Sequence, residues 1–216
     1  SKINVSGNWA NGGTFTASSS TVTFNGSGTA ETPDTLDSGG IADGNKFYNL
    51  THSSGYLKLT TNDLWIAGEF NNSGTATFDV NFDEYKTIYF EGKWTNGASA
   101  TFSAQSGTIV FAYTAAETKD FDSGGDSLSK LNIGNTDPVI ITTGTLRLAN
   151  HLTLSGGLYH YVGTIDASAG TYNISVADTY TFGIDAGGTV GAVAVAFTGG
   201  AGTVEVGVVG VGNFNI

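Results

Sequence analysis

The chain repeats one long pattern, and this repetition limits its fold more than any other feature. VSGNWANGGTFTASSSTVTFNG, which starts at Val5, matches FEGKWTNGASATFSAQSGTIVF, which starts at Phe90, in its Gly, Trp, Asn and Gly residues and in a closing Thr/Val/Phe alternation. Gly7 of the first copy is equivalent to Gly92 of the second. Internal repeats predict a solenoid or a related array, in which each repeat packs on its neighbours.

A shorter pattern, apolar-x-Gly-x-aromatic-x-Asn, lies inside the long one. It occurs in VSGNWAN, IAGEFNN and FEGKWTN, and a weaker copy is LSGGLYH. The glycines that these copies share are Gly7, Gly68, Gly92 and Gly156. Their separations are close to one or three units of a common length, which indicates coils of roughly 20–24 residues.

Short stretches of alternating apolar and polar residues fill each unit. TVTF, TIYF and TIVF are examples, and clusters of Gly, Asn, Asp and Ser separate them. Such stretches predict strands, and no segment shows the 3.6-residue apolar period of a helix. We therefore predict an all-β protein, a parallel β-helix of about ten coils, with an antiparallel β-sandwich as the alternative.

Composition excludes several classes of function. The formal net charge of −11 would repel a nucleic acid, and the absence of Cys excludes disulfides and thiolate metal sites. No apolar run approaches the roughly 20 residues of a membrane span. Only 12% of the residues are charged, and the chain is rich in Gly, Thr, Ser and Asn. This composition favours an extracellular or cell-surface location.

The sequence divides near residue 187. Residues 1–186 carry the repeats, whereas residues 187–216 are rich in Gly and Val and almost free of charge. Strands without charged or bulky polar residues lack the usual protection against edge-to-edge pairing, so we predict that this tract and the first strand assemble with other copies, end to end. The residues expected at this contact are Ile3, Val5, Val204, Val206, Val208, Val209, Val211, Phe214 and Ile216.

Aromatic residues at equivalent repeat positions suggest a second kind of site. Trp9, Phe70 and Trp94 occupy the same place in the short pattern, and Trp65 lies close to one of them. Pointing outward, they would form a stacking row for a cell-surface polysaccharide; pointing inward, they would form a ladder in the core. Burial is the default interpretation, because these residues alternate with polar ones.

Carboxylates in two turn-like segments are candidate calcium ligands. Asp37 lies in DTLDSGG, and Asp120, Asp122 and Asp126 lie in DFDSGGD. Side-chain oxygens and turn carbonyls could hold Ca²⁺ there, while the tendency of Asp and Ser to form turns explains the same residues equally well. The sequence predicts no other cofactor.

Catalytic motifs are missing from the sequence, and we predict that the chain is not an enzyme. A polysaccharide-degrading site would require Asp79, Asp83, Glu84 and Lys86 to converge in a cleft. His151 and His160 could form a metal pair, but a surface or ladder role explains them better.

The segments VSGNWANGGTFTASSSTVTFNGSG, KFYNLT and LRLANHLTLSGG resemble the repeats of large bacterial and archaeal surface proteins of the adhesin or haemagglutinin type. The resemblance implies export, a right-handed β-solenoid, and a structural or adhesive role without catalytic residues. The shortness of the chain and its Gly/Val tract depart from that family and favour a subunit that gains length by association. We expect a non-catalytic extracellular structural protein of a filament, sheath or surface layer, or alternatively a carbohydrate-binding adhesin segment.

Overall fold

The chain forms a parallel β-helix, an all-β solenoid of about seven complete turns, in the computed structural model. The structure describes residues 1–81, 84–113, 115–134 and 144–182, and the two strands at 195–198 and 204–206. Each complete turn places one strand on each of three faces before the chain rises to the next turn. The first complete turn differs only on face 3, where the single residue Phe47 bridges to Ile66.

Face 1 is one nine-stranded sheet, made in axial order by β1 (Lys2–Val5), β3 (Thr21–Phe24), β5 (Asn49–His52), β8 (Phe70–Asn72), β11 (Trp94–Asn96), β14 (Thr118–Asp122), β17 (Thr145–Leu148), β20 (Gly163–Asp166) and β23 (Val195–Thr198). Nine strands spaced about 4.8 Å apart give this face an axial length of about 40 Å.

Face 2 consists of two consecutive sheets. The first contains β2 (Trp9–Ala10), β4 (Asp34–Asp37), β6 (Tyr56–Leu59), β9 (Thr77–Asp79) and β12 (Thr101–Ser103), and the second contains β15 (Ser127–Leu128), β18 (Leu152–Leu154), β21 (Ile174–Val176) and β24 (Val204–Val206). Face 3 contains β7 (Leu64–Ile66), β10 (Thr87–Phe90), β13 (Thr108–Phe111), β16 (Lys130–Ile133), β19 (Leu158–His160) and β22 (Tyr180–Phe182). A short 3₁₀ helix spans Asp43–Asn45.

The two-residue alternation of each strand builds the core. In β3, Val22 and Phe24 are buried, whereas Thr21 and Thr23 lie on the outer side. The parallel register then stacks inward residues of successive turns into files along the axis. One such file on face 1 runs through Ile3, Val22, Leu50, Phe70, Trp94, Phe121 and Leu148. Each buried large apolar side chain contributes about 1.5–3 kcal/mol.

Two details of the predicted fold are wrong. The number of turns is about seven and not about ten, because loops at the corners make several coils longer than the repeat spacing predicts. One long coil separates the register partners Thr21 and Asn49, since the chain forms a corner, β4 and the 3₁₀ helix between them. The alternative of an antiparallel sandwich is also wrong, since the described strands pair in parallel throughout.

The two copies of the long repeat begin on different faces of the solenoid. Trp9 lies in β2 on face 2, in register with Leu36, whereas Trp94 lies in β11 on face 1, in register with Phe70. The predicted equivalence in space therefore holds for Phe70 and Trp94 but not for Trp9. The repeated sequence encodes a corner followed by a strand, and its two copies place that strand on different faces.

Candidate functional site

A file of polar side chains runs inside the solenoid beside the apolar file of face 1. His52, Asn72 and Asn96 are successive register partners at the ends of β5, β8 and β11, and they are 1%, 0% and 0% exposed. Ser123, which follows β14, is 2% exposed. We call these four residues the polar ladder. Buried polar groups are costly unless each finds a partner, so their hydrogen bonds decide whether this file is stable.

Hydrogen bonds orient the first half of the polar ladder. The Asn72 Nδ2 donates to Oδ1 of Asn96 at 2.8 Å and to the carbonyl of Thr101 at 2.9 Å. With both amide protons used, the Asn72 Oδ1 is left to accept, and it lies 2.9 Å from Nδ1 of His52. The His52 Nδ1 therefore carries a proton and donates it.

The second half of the polar ladder ends on a carboxylate. The Asn96 Nδ2 donates to the carbonyl of Ser123 at 3.0 Å and to Oδ2 of Asp126 at 2.9 Å. The same Asp126 oxygen accepts the backbone N–H of Phe102 at 2.6 Å. The direction of donation thus runs from His52 to Asp126 across consecutive turns. The short repeat pattern contains these asparagines, but sequence reasoning did not assign them to the core.

The predicted calcium ligands serve turns of the backbone. The Asp37 Oδ1 accepts the N–H of Gly39 at 3.1 Å, and the Asp122 Oδ1 accepts the N–H of Gly124 at 2.9 Å. The Asp126 Oδ2 accepts a hydrogen bond from Asn96 of the polar ladder. Within the described ranges, no three His, Asp or Glu side chains gather as a metal-binding group.

Asp120, the fourth calcium candidate, belongs to a file of alternating charges on the outside of face 1. Its Oδ1 lies 2.6 Å from a guanidinium nitrogen of Arg147, its register partner on the next turn. The register of face 1 places Glu69, Lys93, Asp120, Arg147 and Asp166 on successive turns. Opposite charges facing each other on neighbouring strands stabilise the pair by about 0.2–1 kcal/mol.

The residues that a polysaccharide-degrading site would need are paired with partners inside the protein. The Asp79 Oδ2 accepts the Tyr56 hydroxyl at 2.7 Å, and the carboxylate is almost fully buried. Lys86 lies 2.6 Å from Oε2 of Glu84, and this hydrogen bond holds the pKa of Glu84 below its usual value. Asp83 lies outside the described residues.

The two histidines proposed as a metal pair differ in their surroundings. His160 is fully buried in β19, where its Nε2 lies 3.0 Å from the carbonyl of Gly163, and burial lowers its pKa to about 4. His151 is exposed, and its Nδ1 accepts the backbone N–H of Asn173.

Phe70 and Trp94 point inward, so they cannot stack on an external ligand. They are 1% and 0% exposed, and their ring centroids lie 4.1 Å apart in the core. Trp9 is half-buried and packs against Phe15 and Phe47. The default interpretation of burial is therefore correct for Phe70 and Trp94.

Trp65 points outward on face 3, but its ring lies between two neighbours. The ring of Tyr89, on the following turn, stacks on it at 5.0 Å. The Nζ of Lys46 lies 3.8 Å from the ring centroid, and Lys46 belongs to the preceding turn because Phe47 bridges to Ile66. The indole Nε1 donates to Glu91 at 2.6 Å. Because Tyr89 and Lys46 cover the ring from both sides along the axis, a sugar could reach the edge of the Trp65 ring but not its face.

The first coil presents an apolar surface at one end of the solenoid. We call β1, β2 and Phe15 the N-terminal rim. Ile3, Val5, Trp9 and Phe15 are half-buried and pack against the core from one side only. In the described structure β1 pairs with β3 alone, and β2 pairs with β4 alone.

The open edge of β1 carries unpaired backbone groups. The carbonyls of Ser1 and Val5 accept hydrogen bonds from the N–H groups of Thr21 and Asn25 on the next turn. Backbone groups of successive residues in a strand point to opposite edges, so the N–H and C=O of Lys2 and Asn4 face the open side. Both residues are exposed.

At the other end, two described strands of the Gly/Val-rich tract extend the solenoid. β23 pairs with β20, and β24 pairs with β21. Val204 and Val206 are in register with the buried residues Ile174 and Val176. The remaining residues predicted at the assembly contact lie outside the described residues: Val208, Val209, Val211, Phe214 and Ile216.

Comparison with protein-family models, with curated proteins and with solved structures finds no significant match to the chain. Among the residues that the structure describes, there is no helix with the length and apolar character needed to cross a membrane.

Proposed function

We propose that this chain is a non-catalytic structural protein of the cell exterior, a subunit that assembles end to end into a filament, sheath or surface layer. The N-terminal rim is the observation that carries the proposal. It combines an open strand edge with half-buried apolar side chains. A strand from another molecule would form hydrogen bonds with the edge and cover the side chains.

The use of polar groups inside the solenoid supports a structural role. The polar ladder and the turn aspartates make hydrogen bonds between successive turns or within corners. Among the described residues considered for catalysis, Asp79 is bound to Tyr56, and Glu84 and Lys86 are paired with each other. These side chains hold the coils in register, which is the property that a rigid rod requires.

The sequence supports the extracellular location. The Gly-, Thr- and Asn-rich repeats resemble those of exported surface proteins, and the chain contains neither Cys nor Met, the side chains that oxidants attack most readily. A repeat protein of this kind gains length by stacking, and its stability grows with each interface between neighbouring units.

A proline at the open edge tests the proposal. In Asn4→Pro, the backbone loses an N–H that faces away from β3, and proline is tolerated on an edge strand when its missing N–H faces solvent. The folded monomer should survive, as circular dichroism would check. Size-exclusion chromatography with light scattering should find a concentration-dependent mass for the wild type and a single chain for Asn4→Pro.

The matched control is Asn4→Thr, which alters the same side chain but keeps the N–H and favours a strand. This variant should assemble like the wild type. A wild-type protein that remains a single chain at every concentration would contradict the proposed function. Unchanged assembly of Asn4→Pro would exclude the N-terminal rim as the contact.

A further inference from the structure

The sequence contains three Asn-Gly pairs, the dipeptide in which an asparagine loses its amide most readily. The pairs begin at Asn11, Asn25 and Asn96. A glycine has no side chain to hinder its own backbone nitrogen, which can attack the amide carbon of the preceding asparagine. The attack requires an asparagine side chain that can turn and a glycine N–H that is not held by a hydrogen bond.

The pair Asn96–Gly97 is fixed at both groups that would react. Asn96 is 0% exposed, and its Nδ2 donates to the carbonyl of Ser123 and to Oδ2 of Asp126. The N–H of Gly97 donates to the carbonyl of Asn72 at 2.8 Å. The attacking nitrogen and the leaving amide are therefore both held, in a place that water does not reach.

The pair Asn11–Gly12 is fixed through its asparagine. Asn11 is half-buried, and its Nδ2 donates to the carbonyl of Ser38 and to Oδ1 of Asn45, both at 3.1 Å. Its Oδ1 accepts the N–H of Gly13 at 3.1 Å. Three hydrogen bonds keep this side chain in one orientation, so it must break them before the nitrogen of Gly12 can attack.

The pair Asn25–Gly26 lies in the corner that follows β3, and it is open. Asn25 is exposed, and within the described part of the chain neither its side chain nor the N–H of Gly26 makes a hydrogen bond. The backbone around them is held, because the N–H of Asn25 donates to the carbonyl of Val5 and the carbonyl of Gly26 accepts the Ser54 hydroxyl, both at 3.0 Å. The side chain of Asn25 can thus turn on an ordered corner.

We propose that Asn25 is the position at which the folded chain deamidates, with water as the only co-reactant. The backbone nitrogen of Gly26 loses its proton to water and bonds to Cγ of Asn25. The Cγ–Nδ2 bond then breaks, and the nitrogen leaves as ammonia after taking up a proton. Water opens the resulting succinimide ring at the Cγ carbonyl, which gives aspartate, or at the backbone carbonyl of residue 25, which gives isoaspartate. The oxidation states do not change.

The two products differ in their effect on the corner. Both add a negative charge, but isoaspartate also inserts a CH₂ group into the backbone. The corner is stacked on the following turn, where the carbonyl of Gly26 accepts the Ser54 hydroxyl and the carbonyl of Gly28 accepts the N–H of Tyr56 at 2.8 Å. A longer backbone displaces these carbonyls, so the isoaspartate form should unfold at lower urea concentration than the aspartate form. This inference does not depend on the proposed function.

Peptide mapping of the aged protein tests the assignment. The wild type would be incubated at mildly alkaline pH, with circular dichroism to check that it stays folded, and a second sample would be incubated in concentrated urea. Chymotrypsin cleaves after Phe15 and Phe24, so it separates Asn11 from Asn25 before mass spectrometry. All three pairs should react in urea. In the folded protein Asn25 should react nearly as fast as in urea, and Asn11 and Asn96 at least about tenfold more slowly, because their reaction requires local opening.

Two variants control the experiment. Asn25→Gln keeps an amide but needs a larger ring to cyclise, so it should abolish the acidic species that ion-exchange chromatography resolves from the aged wild type. Asn25→Asp has the mass and charge of the aspartate product and marks its elution position. Reaction of Asn11 or Asn96 in the folded protein as fast as that of Asn25 would overturn the proposal. So would an Asn25 that stays intact in the folded protein and reacts only in urea.

Discussion

The side-chain amide of Asn72 donates to the side-chain oxygen of Asn96 at 2.8 Å, in a part of the core where both residues are completely buried. This bond joins two successive turns at their inner surface. Because each amide has one orientation that satisfies its neighbours, the bond forms only when the turns are stacked in the correct register. The polar ladder therefore joins the coils in the same register as the strand pairs of face 1.

Replacing the central amide of the polar ladder should be strongly destabilising. In Asn72→Asp, a carboxylate would face the Oδ1 of Asn96 and the carbonyl of Thr101, two acceptors that now receive hydrogen bonds. We expect a loss of about 3–5 kcal/mol in the free energy of unfolding, measured by urea denaturation at neutral pH. Asn71→Asp, on the outer side of the same strand, should change it by only about 0.5 kcal/mol. Equal effects would contradict the inward assignment.

Alanine at Gly92 should disrupt the contact between two corners. A Cβ there would overlap the backbone oxygen of Gly68 on the preceding turn, and a rigid backbone cannot move aside. We expect a cost of about 3 kcal/mol in thermal or urea unfolding. Gly7→Ala is the matched control, since a Cβ at this equivalent repeat position meets nothing within 4 Å. A cost for Gly7→Ala as large as that for Gly92→Ala would be inconsistent with the described corner.

The core position of Trp94 should accept phenylalanine. Phe70 and Phe121 occupy the same file on the turns to either side, and the indole Nε1 of Trp94 is buried without a hydrogen-bond partner in the described structure. Trp94→Phe removes this desolvated N–H, so we expect a loss of less than about 1 kcal/mol. Trp94→Ala leaves a cavity and should cost about 3–5 kcal/mol. Unfolding experiments that rank the two variants in the opposite order would refute this packing.

Stability should fall as the pH drops below about 6.5, where histidines of an unfolded chain take up protons. Burial lowers the pKa of His160 to about 4 and also lowers that of His52. The unfolded chain thus binds protons at higher pH than the folded one. The stability that His160 contributes is complete above about pH 6.5 and is lost progressively down to about pH 4, by about 3 kcal/mol in total.

Urea unfolding midpoints between pH 7.5 and pH 5 measure this loss. His160→Gln should flatten the pH dependence, because it removes the buried imidazole whose pKa is lowered in the folded chain. A wild-type midpoint that stays constant over this range would show that the buried histidines do not titrate on unfolding.

Local sequence patterns were sufficient to predict much of this fold. The alternation in TVTF and TIVF indicated strands with the correct inward residues, and the regular glycine spacing correctly favoured parallel coils over a sandwich. Burial of Phe70 and Trp94 followed from their alternation with polar neighbours. These features depend on contacts within one strand or between adjacent turns. Such contacts produce a regular pattern in a repeated sequence, so the pattern predicts them.

Features that depend on the path of the chain around the axis could not be predicted. Corner loops of unequal length reduced the number of turns and placed Trp9 on a different face from Trp94. The position of Lys46 over Trp65 depends on a bridge between residues of separate coils. The hydrogen bonds that Asp126 accepts from Asn96 and from the backbone of Phe102 also join residues of different coils, so they could not be predicted from the aspartate itself.

Electron microscopy of the purified protein at rising concentration tests the central claim, that the solenoid ends bind one another. We expect linear particles one solenoid wide, which lengthen as concentration increases and shorten to single subunits in Asn4→Pro. Isolated particles about 40 Å long at every concentration, for a wild-type protein that is fully folded, would contradict it.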